Sequence, residues 1–288
     1  MKTLQQRSTK ISETAESCAI HPTAIIDSRA RLGTGNRIGP YAVIGPDAVI
    51  GSDNDIGPHA VLAGNTTLGD SNKIFQFASI GAPPQDLKWR GEESRLVIGS
   101  RNIIREYVTL QPGTAGGGGV TVIGDDNLFM AVSHVAHDCR IGSHVHLANA
   151  ATLAGHVEVG DHAALSGLCA VHQYARIGAY AFVSGGAMVS QDVPPFCLVQ
   201  GDRARLIGLN EVGLKRGGFA QSDILALRRA LRGLFRSDGT KAERMAAVEA
   251  QVGGNAAVRI LLDFVATSTR GVVRQYSRNR SAGLMSAV

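Results

Sequence analysis

Residues 20–50 read IHPTAIIDSRARLGTGNRIGPYAVIGPDAVI, and every sixth position from Ile20 is aliphatic: Ile26, Leu32, Ile38, Ile44 and Ile50. The step continues through Ile56, Leu62, Leu68, Ile74 and Ile80. It returns at Ile98, Ile104 and Leu110. A third run starts at Ile123 and passes Phe129, Val135, Ile141, Leu147, Leu153, Val159, Leu165, Val171, Ile177 and Val183 to Val189. The three runs hold 11, 3 and 12 positions, 26 in all. A helix turns ~100° per residue, so a step of six scatters these side chains over three faces. One continuous strand of this length is far outside the usual range of about 3–10 residues. Short strands joined by turns satisfy the spacing. Three sides then make one 18-residue coil with the aliphatics stacked inside. Glycine follows many of these positions, and the expectation is that it supplies turn geometry a β-carbon would resist. Small residues four places on, such as Ala42, Ala48, Ala60, Thr66 and Ala78, fill the remaining interior. Twenty-six sides are just under nine coils, or about 40 Å at ~4.8 Å per coil.

Composition agrees with a stacked aliphatic core. Of 288 residues, 35 are Gly and 44% are hydrophobic, but only 8 are Phe, 5 Tyr and 1 Trp. No apolar run reaches the ~18 residues of a membrane span, so no stable membrane insertion is expected. The opening MKTLQQRSTKISETAE lacks the apolar centre of a signal peptide, which points to a cytoplasmic protein. Cys18, Cys139, Cys169 and Cys197 lie far apart with no Cys-x-x-Cys pair, which argues against a zinc ribbon or a disulfide scaffold and fits a reducing compartment.

The periodicity divides the chain into a flexible N-terminal extension over residues 1–17, a parallel β-helix over 18–200, and a C-terminal helical domain over 201–288. Two interruptions read as loops extruded from a corner. One is 82–97, APPQDLKWRGEESRLV, across which Ile80 and Ile98 stay a whole number of sides apart and keep the phase. The other is 111–122, QPGTAGGGGVTV, across which the register slips by one. Insertions on repeat arrays often mark the binding face. After Asp192-Val193-Pro194-Pro195 the step of six ends. Ser222 is placed as the N-cap of a helix carrying Ile224, Leu227, Leu231, Leu234 and Phe235. Thr240 and Glu243 form a capping box for a second helix, and Asn255 opens a third through Val265. The last residues, RQYSRNRSAGLMSAV, read as frayed. This domain would cover the open end of the strand stack.

Charge is split along the chain. Residues 1–202 carry 14 Lys/Arg against 18 Asp/Glu, a net −4, and residues 203–288 carry 15 against 6, a net +9. The basic third implies an acidic partner. Nucleic acid is disfavoured, because the basic helices lack interleaved aromatics and any binding motif.

Seven of nine histidines fall between 134 and 172. His144, His146 and His162 read as exposed turn residues. His137, His156 and His172 fall one to three residues after a core aliphatic, spaced close to one coil apart. They would stack as a column of imidazoles along a cleft, suited to general-base chemistry.

The stepped aliphatics are similar to the hexapeptide repeat of left-handed parallel β-helix proteins, and handedness rests on that likeness. The segments Gln85-Asp86-Leu87-Lys88, His134-Val135-Ala136-His137-Asp138-Cys139, Thr152-Leu153-Ala154-Gly155-His156-Val157 and Ala170-Val171-His172-Gln173 resemble the UDP-N-acetylglucosamine acyltransferases. So do Gln191-Asp192-Val193-Pro194-Pro195, Gly213-Leu214-Lys215-Arg216 and Ser268-Thr269-Arg270-Gly271. The likeness covers about residues 18–273. It implies a mainly β fold, a left-handed β-helix prism followed by a small helical domain, that transfers a 3-hydroxyacyl chain from acyl carrier protein to the sugar 3-hydroxyl at the first step of lipid A synthesis. It further implies a homotrimer with sites between neighbouring prisms, no cofactor beyond the carrier's phosphopantetheine, and no metal. By the same resemblance His137 is the general base, Asp138 orients it, and the Gly155 N–H is the oxyanion donor. Gln85, Asp86, Lys88, His134, His156, His172 and Gln173 line the substrate cleft, Asn210 and Arg216 meet the nucleotide, and Gly185 sets acyl length. The chain departs from the family pattern at Gln111-Pro112 and at Val212, near the presumed acceptor.

Acyl carrier proteins are acidic, so Lys215, Arg216, Arg228, Arg229, Arg232 and Arg236 are candidates to steer one in. Three other readings stand beside this one: an amino-sugar nucleotide as acceptor, a γ-class carbonic anhydrase-like enzyme with three histidines on zinc, and a non-catalytic scaffold. A scaffold has no reason to align His137 with Gly155 on successive coils.

Overall fold

The structure is a computed structural model describing residues 18–275. The expected flexible extension over 1–17 and the frayed stretch beyond residue 275 lie outside the described residues. The chain winds as a left-handed parallel β-helix with three flat faces, each a parallel sheet. Each of the 26 stepped positions ends its own strand, usually of two residues. Ile20, Ile38, Ile56, Ile74, Ile104 and onward stack in the first face; Ile26, Ile44, Leu62, Ile80, Leu110 in the second; Leu32, Ile50, Leu68, Ile98, Ile123 in the third. From Ile38 onward these side chains are buried and form one continuous core. Complete burial stabilises each by about 1.5–3 kcal/mol.

The loops obey a simple arithmetic. Within the third face Ile50 pairs with Leu68 across one plain coil, whereas the pairs Leu68 with Ile98 and Ile98 with Ile123 each span a loop. The first loop lengthens its coil by two sides' worth of chain. The second lengthens its coil by one side plus a single residue, which is the slip of register seen in the sequence. Ile80 and Ile98 accordingly sit on adjacent faces rather than one coil apart. Their separation equals a coil length only because the loop supplies two sides' worth of it.

The glycines act differently from the expectation. The left-handed corner positions are mostly not glycine: Tyr41, His59, Asp138, His156 and Tyr174 all have φ near +60°. Among the glycines that directly follow the described core aliphatics, Gly81 alone has such a φ. A β-carbon at Gly39 would lie 2.9 Å from Pro58 N, and at Gly51 2.7 Å from the Gly69 carbonyl oxygen. Close approach of the next coil, not turn geometry, excludes a side chain there.

A buried column of Asn36, Asn54, Asn72, Asn102 and Asn127 runs inside the edge between the third and first faces. Each Oδ1 accepts from the backbone N–H of the next, at 2.8–2.9 Å. The strand pattern also runs past residue 200. Cys197–Gln200 extends the first face, and Arg205–Leu209 pairs antiparallel with it, because the terminal strand must satisfy its outer backbone groups. Strand pairing thus continues to Leu209 as an antiparallel hairpin appended to the last coil.

Four helices follow: α1 Glu211–Arg216, α2 Gln221–Arg236, α3 Lys241–Val252 and α4 Ala256–Thr267. Thr240 and Glu243 form the expected capping box, and Asn255 caps α4. Ser222 is not a cap. It lies within the first turn of α2, whose N-cap is Ala220 with no side-chain bond. The step-of-six reading missed α1, which is short and capped by Asn210. After α4 the chain returns to the prism, with parallel bridges from Asp192 to Val272 and from Leu206 to Gln275. Among the described residues no helix is long and apolar enough to cross a membrane.

Candidate active site

The edge between the second and third faces carries both loops and, in the coils that follow, His137-Asp138, Gly155-His156 and His172-Gln173-Tyr174. His137 Nδ1 lies 2.7 Å from Asp138 Oδ2, with the His137 side chain 14% exposed and the Asp138 side chain fully buried. A carboxylate only accepts, so Nδ1 carries the proton and Nε2 keeps its lone pair. The imidazole packs directly against Gly155: a β-carbon there would lie 2.5 Å from His137 Cε1 and 2.7 Å from Nε2. The Gly155 N–H has no acceptor among the described residues. The His137 ring and the Gly155 backbone, whose amide is unspent, are therefore immediate neighbours.

The imidazoles do not form the expected single column. Asp138, His156 and Tyr174 recur once per coil and occupy the left-handed corner, with His156 stacked on Tyr174 at 4.3 Å. His137 precedes that corner and aligns with Gly155 instead, meeting His156 edge-on at 5.1 Å. Burial, partly offset by the Asp138 charge, holds His156 below the ordinary histidine value. His134, on the outer side of the second face with Nδ1 2.6 Å from Thr109 Oγ1, is lowered first by burial and then by the neighbouring His137.

The first loop brings Asp86 and Lys88 close enough for their charges to act on His156. Asp86 Oδ1 accepts from the Lys88 backbone N–H at 3.0 Å. The Gln85 N–H donates to Gln111 Oε1 at 3.2 Å, so the departure residue Gln111 ties the base of the loop to the prism. His172 is exposed, and Arg270 Nη2 approaches its Nδ1 at 2.9 Å.

Gly185, Asn210 and Arg216 lie elsewhere on this chain. Gly185 is exposed on the edge between the first and second faces, where a β-carbon would meet only the Gly167 carbonyl oxygen at 3.4 Å and Ser166 Cβ at 4.0 Å. Asn210 caps α1, accepts from the Gly213 N–H and donates to the Tyr180 carbonyl at 2.9 Å, beside the edge between the third and first faces. Arg216 ends α1, exposed, near that same edge. His144 and His162 stack with Tyr180 there.

Several functional contacts escaped sequence reasoning. Thr114 bonds both Asp138 oxygens, Thr121 Oγ1 accepts from the Asp138 N–H, and the Gly117 backbone presses on the carboxylate. Tyr174 was visible as the third member of the once-per-coil register, and Arg270 as part of Ser268-Thr269-Arg270-Gly271.

The ligand atoms of His137, Asp138 and His156 lie within 4.8 Å of one another. That set offers two imidazoles and a carboxylate already held by Thr114, not the three histidines a γ-class zinc site needs.

Residues 192–273 match the family described as Udp N-acetylglucosamine O-acyltransferase, domain 2, and residues 29–64 and 120–155 match the bacterial transferase hexapeptide repeat. The chain is 52% identical over 255 residues to the acyl-[acyl-carrier-protein]--UDP-N-acetylglucosamine O-acyltransferase of Myxococcus xanthus, covering 88% of this chain and 99% of the relative. It belongs to the UDP-N-acetylglucosamine O-acyltransferase family. The Janthinobacterium enzyme of the same name is 50% identical at 88% and 99% coverage. The Francisella novicida UDP-N-acetylglucosamine acyltransferase structure superposes with a TM-score of 0.87 at 36% identity, covering 93% of this chain and 99% of that one. As a member of this acyltransferase family, the chain carries the first loop, His137, Asp138, Gly155, His156, His172 and Gln173 along one edge, with Gly185, Asn210 and Arg216 at the other two.

Proposed function

We propose that the chain transfers a 3-hydroxyacyl group from acyl carrier protein to the 3-hydroxyl of UDP-N-acetylglucosamine, in the lipid A pathway, with His137 as general base. The Asp138-held His137 ring packed directly against Gly155, whose N–H has no acceptor among the described residues, carries this reading. Nε2 takes the hydroxyl proton as the oxygen attacks the thioester carbon. The resulting oxyanion rests on the Gly155 N–H, an interaction typically worth about 3 kcal/mol of barrier. Collapse breaks the carbon–sulfur bond, and the proton on Nε2 leaves with the phosphopantetheine thiolate, returning His137 to its starting form. Asp138 holds the tautomer and stabilises the transient imidazolium. Asp86 and Lys88 meet the sugar, and His134, His156, His172 and Gln173 line the cleft.

Three edges of a prism point away from each other, so Gly185, Asn210 and Arg216 join His137 only if a second copy brings its own edge alongside. A homotrimer does this. The outward positions of the second face support it, being apolar or small in Ile25, Val43, Val61, Ser79, Thr109, Thr152, Ala170 and Met188. An exposed ridge of Tyr41, Phe77, Tyr107, Val132 and Leu168 runs along the adjoining edge. A cytoplasmic location accords with three buried free thiols, of which Cys139 is pushed up to about 12 and Cys169 to about 11 by burial.

The test is an acyl-transfer assay with UDP-N-acetylglucosamine, its 3-amino analogue, and a panel of acyl-carrier thioesters, read by mass. His137→Ala should lower turnover by roughly 10²–10⁴-fold with the fold retained. Near-normal turnover in that variant, or preference for the amine, would overturn the corresponding part of the reading.

A further inference from the structure

The Asp138 carboxylate sits where two imidazoles could claim it. Its Oδ2 is 2.7 Å from His137 Nδ1 and 3.8 Å from His156 Nε2. One side chain from the second loop decides between them. Thr114 Oγ1 donates to the same Oδ2 at 2.6 Å, and the Thr114 backbone N–H donates to Oδ1 at 2.8 Å. The pair of bonds fixes both the position and the rotation of the carboxylate plane, which a single bond would leave free to turn. Both partners are buried, so water cannot substitute for the hydroxyl at low cost. The rest of the loop closes over them. A β-carbon at Gly117 would fall directly on the carboxylate, and Ala115–Gly117 forms a single 3-10 turn that brings the loop backbone down onto it.

We infer that Thr114 is a positioning residue: its hydroxyl holds the Asp138 carboxylate on His137 rather than on His156, and so keeps the proton on Nδ1 and the lone pair on Nε2. This rests on the reading of His137 as general base. It gives the glycine-rich loop a task beyond surface decoration, since glycine at 117 is what lets the loop backbone reach the carboxylate. The chain departs from the family pattern in this same segment, at Gln111-Pro112. Thr114 stands two residues on.

Thr114→Val keeps the shape and the backbone N–H and removes only the hydroxyl. Its turnover should fall roughly ten- to hundredfold, the scale of a hydrogen bond to a charged group, while KM for sugar nucleotide and acyl carrier stays within about twofold. Thr114→Ser restores the donor and should recover most of the loss. In an Asp138→Asn background the same Thr114→Val change should cost less than about twofold, because a residue acting through Asp138 has nothing left to act on. The low-field proton resonance of the His137 Nδ1–H should be present in wild type and Thr114→Ser and lost in Thr114→Val. Full turnover in Thr114→Val, an equal loss in Thr114→Ser, or an undiminished cost beside Asp138→Asn would each overturn the assignment. Should Thr114→Val lose its sheet signal in circular dichroism, Thr114→Cys, similar in size to serine and a weak donor, serves for the same comparison. A fully active His137→Ala would instead overturn the general-base reading, which separates the two failures.

Discussion

His137 and Gly155 face each other across a gap too small for a methyl group. The ring atoms Cε1 and Nε2 lie where an alanine β-carbon would stand, at 2.5 and 2.7 Å. The backbone at Gly155 is outside the left-handed region, so nothing but the imidazole demands glycine there.

Gly155→Ala should therefore displace the base without unfolding the prism. Turnover is expected to fall by about 10²-fold or more, since both the base and the facing amide lose alignment. The melting temperature should move only slightly. Steady-state kinetics and a thermal melt check both halves.

The buried asparagine column predicts a stability effect remote from catalysis. Asn72 Oδ1 accepts from both the backbone N–H and the Nδ2 of Asn102, at 2.9 and 3.0 Å. Asn72→Ala leaves the buried Asn102 backbone N–H unpaired and its Nδ2 with only the Gly124 carbonyl, at a cost of about 1–3 kcal/mol. Denaturant titration should show it, with turnover under native conditions unchanged.

The histidines held low by burial fix the sign of a pH effect. His134 and His156 take a proton less readily folded than unfolded. Their contribution is fully present above the ordinary value of about 6.5 and is lost as pH falls below it. The melting temperature of wild type should drop more between pH 7 and pH 5 than that of His134→Asn. Equal slopes would remove His134 from the account.

How much of this was legible in the sequence follows from what repeats. The step of six marked 26 strands, because one side chain per strand must enter a narrow core and leaves a mark at fixed spacing. It did not reveal the job of the glycines, since close approach between coils and a left-handed turn leave the same residue behind. Nor did it show Thr114 on Asp138. The residues inserted in the second loop fold back across the edge, and no periodicity encodes where an irregular loop lands. Asn210 is a related case: it caps a short helix and donates to the Tyr180 carbonyl, and neither contact follows from a repeat.

Association with acyl carrier protein should be salt-sensitive. Lys215, Arg229, Arg232 and Arg236 are exposed on α1 and α2, whereas Arg228 is paired with Glu211 at 2.6 Å. Reversing the charge of Lys215, Arg229 and Arg232 together should weaken binding at low salt and flatten its salt dependence. Titration by calorimetry or surface resonance from low to moderate salt reads both.

Gly185→Met should shorten the preferred acyl chain. The position is exposed and open, so the side chain is accommodated without backbone strain. Excluding about three methylenes at roughly 0.8 kcal/mol each shifts preference by one to two orders of magnitude. A competition assay with mixed thioesters, read by mass, checks it. An unchanged length profile would place the acyl terminus at another coil.

Both loops, His137, Gly155 and Gln173 interrupt or follow the same edge in consecutive coils. Positions one coil apart are separated by about 4.8 Å, so that edge is graduated like a scale. A ligand laid along it is met at whole divisions. Deleting one whole coil would erase one division and leave every remaining register intact. Changes in what this edge measures come in steps of a coil.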